Sequence, residues 1–225
     1  MHNVQNEQGS ISFLLYRVFA WMAFGVGLSG ATALFVAQNP ALLTRYAAVL
    51  PLLLIAQLVV VIVLSWRIMS LSYPVAQMMF ALYAIMSGAT LSVIFSVYTT
   101  ASIVQVFFIA ASMFATMAIY GAYTKTNLAQ FKNLLFMTLF GLVIAMVVNM
   151  FLHSSLVDFV TACVGVLLFA ALTAYDIQNI QRLGAYLLAR NEDLNKIALL
   201  GALQLYLDFI NLFLSLLRLF GKRQN

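Results

Sequence analysis

The sequence predicts an all-α membrane protein: a seven-transmembrane-helix bundle with the C-terminal helix at the centre. Three observations point there. Hydrophobic residues make up 64% of the 225 and charged residues only 8%, with a mean hydropathy of +1.03, whereas a soluble domain carries about 25% charged residues. The apolar residues fall into seven runs of about 20 residues, the length that crosses a bilayer as a helix. The last run, Gly201–Gly221, also carries a polar seam. Gly201, Gln204, Asp208, Asn211, Ser215 and Arg218 follow at steps of three and four and so share one side of a helix. An acid at the middle of a spanning helix costs roughly 2.5–3.5 kcal/mol on insertion scales, so Asp208 is expected to face protein. A helix with such a seam and apolar flanks is an interior helix.

The elements follow in order. After a polar N-terminal segment, residues 1–12, spans are expected at about 17–37, 49–66, 74–97, 102–122, 131–152, 156–180 and 197–220. The third opens on Pro74, where a missing N–H is harmless. The N-terminus shows no charged, apolar and cleavage regions in signal-peptide order, so the first helix is expected to remain in the mature protein. Connections are short except Gln181–Lys196, and no soluble domain or low-complexity tail interrupts them. Residues 1–225 therefore read as a single transmembrane domain. Small residues recur every four positions: Ala23, Gly27 and Ala31; Gly88, Ser92 and Ser96; Gly141, Ala145 and Asn149. Such rows let helix backbones approach closely in lipid.

The net charge of +5 comes from Lys and Arg near segment ends, with no basic block, which speaks for topology signals and against nucleic-acid binding. Seven spans put Arg17, Arg67, Lys125, Lys132, Arg182, Arg190 and Lys196 on one face, against Arg45, Arg218, Lys222 and Arg223 on the other. The positive-inside rule then places the N-terminus in the cytoplasm. The basic C-terminal group pulls the other way; a last segment that dips in and returns would relieve it, and a full crossing is the expectation. The single cysteine, Cys163, sits in an apolar run and reads as a packing residue.

Few ionisable groups remain. Asp158 begins the sixth span, where an acid suits the positive end of the helix dipole. His153, in the loop LHSSL, reads as interfacial. Asp176, in LTAYDIQNIQ, lies about a turn from the apparent end of the sixth span. The sixth and seventh spans are joined on one side and can pack antiparallel. If the sixth helix continues through IQRLGAYLL, Asp176 and Asp208 approach one depth. Two carboxylates in a dry site do not both ionise easily, so the pair holds a proton and becomes a pH-sensitive latch. Arg67, at the cytoplasmic end of the second span, is the group that would neutralise one of them. The oxygens also suit a hard cation such as calcium, but two carboxylates fall short of its usual six to eight ligands, so binding at Asp176 and Asp208 is expected to be weak.

The runs SGATLSVIFSVYTTASI (Ser87–Ile103), YGAYTKTNL (Tyr120–Leu128), GLVIAMVVNMFL (Gly141–Leu152), LTAYDIQNI (Leu172–Ile180) and LYLDFINLFLSLLRLFG (Leu205–Gly221) resemble the Bax inhibitor family, the TMBIM-type membrane proteins. The likeness is strong over about residues 65–221 and looser before them. It implies a seven-helix fold with the last helix ringed by the others. It also implies a pH-sensitive calcium leak, the activity of bacterial members, in a bacterial inner membrane; eukaryotic members restrain cell death and lower calcium stores. The family's di-aspartyl sensor falls on Asp176 and Asp208, and its arginine partner on Arg67 in SWRIMS. The chain departs from the family in Asn127 for an Asp, Lys132 for a Gly, Ile177 for a Thr, and a longer link between the last two spans.

The expectation is a proton-gated cation leak, not an enzyme. Its gate is Asp176, Asp208 and Arg67, its seam Gln204, Asn211 and Ser215, and it has no cofactor beyond weakly bound calcium. Its partners are the lipid bilayer, calcium or other cations, and a membrane protein. Two alternatives stand beside it: a proton-coupled secondary transporter using the same acids as a relay, and a non-transporting modulator of a membrane protease or channel. A retinal-type pump needs a lysine inside the seventh helix, where Lys196 and Lys222 lie only at its ends. No GxSxG, HExxH or GxxxxGK[ST] motif is present.

Overall fold

A computed structural model describes the backbone of residues 2–190, 192 and 194–224, and their side chains except at 2–8, 40–48 and 51. The helices are α1 (His2–Ala37), α2 (Pro40–Arg67), α3 (Tyr73–Leu91), the one-turn α4 (Ile94–Val97), α5 (Thr100–Tyr123), α6 (Lys132–Leu152), α7 (Ser155–Leu188) and α8 (Asn195–Phe220). A 3-10 turn, Leu128–Phe131, precedes α6. No β-strand occurs among the described residues. Apart from α4, the helices match the seven expected spans. Among the described residues six are long and apolar enough to cross a membrane, and Leu52–Arg67 is the apolar part of α2 whose side chains are described without a gap. Arg45, used above to orient the chain, has its side chain outside the described residues.

Four boundaries differ from expectation, the first being that α2 begins at Pro40 and not at 49. The N-terminal polar segment is helical from His2. The third span breaks after Leu91, and α4 follows. The sixth span does not stop at 180: α7 runs on to Leu188, so the long link expected at Gln181–Lys196 shrinks to residues 189–194. Its added turns carry apolar residues at helical spacing, and Ile180 and Leu187 are buried.

The chain divides into two compact units, residues 1–98, 183–206 and 224–225 in one, and 99–182 and 207–223 in the other. In the first unit, α1 packs mainly on α3. Gly88 makes this approach possible, since a Cβ there would lie 2.4 Å from the carbonyl oxygen of Ser29. Fully buried Tyr206 of α8 meets Ser29, its hydroxyl 2.7 Å from the serine Oγ. That Oγ also lies 2.7 Å from the Ala84 carbonyl and 2.9 Å from that of Gly25. A serine has one proton to give, so with carbonyls as its acceptors it takes the tyrosine's.

In the second unit, Phe107 and Phe114 of α5 pack edge-on against Phe209 of α8, with ring centroids 5.4 and 5.6 Å apart. Lys222 N–H donates to Ser102 Oγ at 2.9 Å, tying the chain after α8 to the start of α5. Gly121 of α5 lies against Ala174, and Gly165 of α7 against Ser215. The small-residue rows do not all serve helix contact. Gly88 does, but nothing lies within 4 Å of a Cβ placed at Gly27 or Gly141, so those two glycines do not sit at a close helix contact. Burial separates the helices sharply: 67% of the α8 span window is buried but only 6% of that containing α6. No residue from Leu194 to Leu219 is exposed.

Candidate functional site

Asp176 and Asp208 lie in the second unit, on α7 and α8. Neither helix is interrupted at its acid, because leucine, alanine and aromatic neighbours keep the backbone bonded within the helix and leave the carboxyl to side-chain packing. The two carboxyls are neighbours, close enough for a hydrogen bond between the side chains and for direct charge coupling. Asp208 is buried, 6% exposed, and Asp176 is partly buried. Oδ2 of Asp208 is sealed away with no hydrogen-bond partner. A buried acceptor left unpaired costs about 1–3 kcal/mol, and each such atom in a folded protein calls for an explanation.

Along the seam, Asn211 Nδ2 donates to the Leu207 carbonyl at 2.8 Å and Ser215 Oγ to the Asn211 carbonyl at 2.7 Å. Both bonds stay within α8. Gln204 is partly buried and belongs to the first unit, as does Arg67, which is exposed at the last position of α2. Among the described residues no group of three or more His, Cys, Asp or Glu is placed to hold a metal ion.

The structure adds an ion pair that sequence reasoning missed. Arg218, at the far end of the seam, donates through Nη2 to Asp158 Oδ1 at 2.5 Å, to the Asp158 carbonyl at 2.9 Å and to Thr161 Oγ1 at 2.7 Å; its Nε reaches the same carboxylate at 3.1 Å. Asp158 therefore pairs across helices, where the sequence suggested only a dipole partner. The serine before α7 meets the backbone instead, Val157 N–H donating to Ser154 Oγ at 3.4 Å. The signal was available: antiparallel α7 and α8 put the start of one beside the end of the other, and each end bears one charge. His153 holds a left-handed turn, φ 49°, at the end of α6.

These features define a class: a multi-pass α-helical membrane protein with an acid pair enclosed between its last two helices. The comparisons are narrower. A family model described as "Inhibitor of apoptosis-promoting Bax1" matches residues 12–225. The chain is 43% identical over 226 residues to the inner membrane protein YbhL of Escherichia coli, covering 99% of this chain and 97% of that protein. It is 39% identical over 214 residues to an uncharacterized protein of Borreliella burgdorferi, covering 94% and 92%, and 36% identical over 219 residues to one of Deinococcus radiodurans, covering 97% and 94%. The chain belongs to the Bax inhibitor family.

Proposed function

We propose that this protein is a pH-sensitive cation leak, with calcium as the ion, gated by Asp176 and Asp208. The observation that carries the reading is the meeting of two carboxyls from consecutive helices in a protein-lined site where one oxygen has no partner. One shared proton holds such a pair together. Losing it sets two like charges side by side, and gaining a second leaves two neutral acids that no longer attract by charge. Either change loosens α7 from α8, and the gate follows the protons.

The rest of the reading is built on that pair. The burial of 67% of the α8 span window, the highest share among the six spans, supports its place as the central helix. Arg67 is the cation that would hold an ionised state, and Gln204, Asn211 and Ser215 line the route. Two carboxylates give weak, hydrated calcium binding, which suits conduction better than storage. The setting is a bacterial inner membrane with the N-terminus in the cytoplasm. We assign no catalysis and no cofactor, and leave room for a membrane-protein partner.

The test is calcium flux into liposomes as a function of pH for the parent, Asp176→Asn and Asp208→Asn. Flux that varies with pH in the parent and is flat in both variants is the expected result. An unchanged pH response in both variants removes the acids from the gate. Counterflow and saturable uptake driven by a pH gradient would point to a proton-coupled carrier instead.

A further inference from the structure

Residues 124–127 between α5 and the 3-10 turn have no regular secondary structure, so their backbone groups need other partners. One side chain supplies two. Gln178 of α7, 8% exposed, accepts from Leu128 N–H through Oε1 at 2.9 Å and donates through Nε2 to the Thr126 carbonyl at 2.8 Å. Both ends of this amide are matched to the loop. One turn further along α7, Arg182 Nη1 donates to Asn127 Oδ1 at 2.7 Å, and the same oxygen accepts from Ala129 N–H at 3.1 Å. Between these ties, Leu128 is buried with Ala174 and Tyr175 of α7. A Cβ on Gly121, just before the loop, would lie 2.3 Å from the Ala174 carbonyl oxygen. Four positions of α7, Ala174, Tyr175, Gln178 and Arg182, thus hold one short segment on one side of the helix.

That side is the reverse of the one carrying Asp176. Residues two apart on a helix point about 200° apart, so Ala174 and Gln178 face away from the carboxyl that lies between them in sequence. We propose that residues 124–131 form a clip backing α7, and that Gln178 is a positioning residue that, through the clip, holds Asp176 against Asp208. The inference rests on the gating role proposed above for that pair and adds the part that sets its geometry. In this unit the ionisable groups beside Asp176 are Asp208 on α8 and Tyr175 and Arg182 on its own helix, while Lys125 and Lys132, both exposed, lie in and beside the clip. Asp208 is its direct partner. The neutral Asn127 makes the Arg182 tie one that no acid titration breaks.

The experiment uses the full chain in a Cys163→Ala background, comparing the parent with Gln178→Ala and with the milder Asn127→Ala at an exposed position. Leu128→Cys, at the buried position of the clip, added to each, reports release of the clip through its rate of labelling by a water-soluble maleimide. The protonated-carboxyl infrared band, identified by its loss in Asp176→Asn, reports the acid pair without any flux assay. Release of the clip should speed labelling several-fold and move the midpoint of the carboxyl titration by about half a pH unit or more, about threefold in proton affinity. The shift should be smaller in Asn127→Ala. Faster labelling with an unmoved carboxyl midpoint in both variants overturns the positioning role, and unchanged labelling in both overturns the clip. If the carboxyl midpoint shifts while parent flux ignores pH, the leak reading falls and the clip stands. If parent flux follows pH while the midpoint stays fixed, the reverse holds.

Discussion

Asp208 has an oxygen enclosed by protein without a hydrogen-bond partner, and at residue scale this sets stability against activity. An unpaired buried acceptor costs about 1–3 kcal/mol. An asparagine of the same shape removes a charge from the interior, and its amide, turned to the side that faces Asp176, can donate to that carboxyl. Asp208→Asn should therefore unfold at a temperature equal to or above that of the parent in detergent, while its flux loses the pH response. A clear drop in the unfolding midpoint would mean that the carboxylate is a structural group. The acids themselves were legible from sequence, since an intramembrane carboxylate at mid-helix has few bland explanations. Gln178 was not, because an amide's value lies in the two backbone groups it meets, and those belong to a loop some 50 positions earlier.

Helices α7 and α8 form the element on which the reading turns, and two pairs of side chains tie them by different chemistry. Asp176 meets Asp208 well inside both helices, and Asp158 meets Arg218 at the start of α7 and the end of α8. The ion pair is partly open, with side-chain exposures of 42% for Asp158 and 22% for Arg218, so solvent screens it and its value is modest. A double-mutant cycle with Asp158→Asn and Arg218→Gln should give a coupling of about 1 kcal/mol or less, shrinking as salt is raised. A coupling that ignores salt would show that water does not reach it. The hydrophobic pattern announced both helices, though it underestimated α7 by two turns. The added turns are amphipathic rather than uniformly apolar, and a hydropathy window reads such a stretch as a loop.

Across the whole molecule, the number of crossings decides which side each end occupies. The 26 residues of α8 run without a break, about 39 Å at 1.5 Å per residue, enough to cross a bilayer of about 30 Å. Reporters fused to the two ends should therefore light up on opposite sides of the membrane, with the N-terminal one in the cytoplasm. Finding both on one side would mean an even number of crossings and would overturn the seven-span reading. By itself, the sequence determined the membrane class, the number and order of the long helices, the seam on the last of them and the two acids, because length, hydropathy and helical period are local properties of a chain. Only the tertiary structure decided that Asp176 and Asp208 are neighbours, that Arg218 pairs with Asp158, that Gly88 sits at a helix crossing while Gly27 and Gly141 do not, and that Gln178 holds a loop. Each of these depends on which face of one helix meets which face of another, and in an oily chain many faces look alike until they are packed.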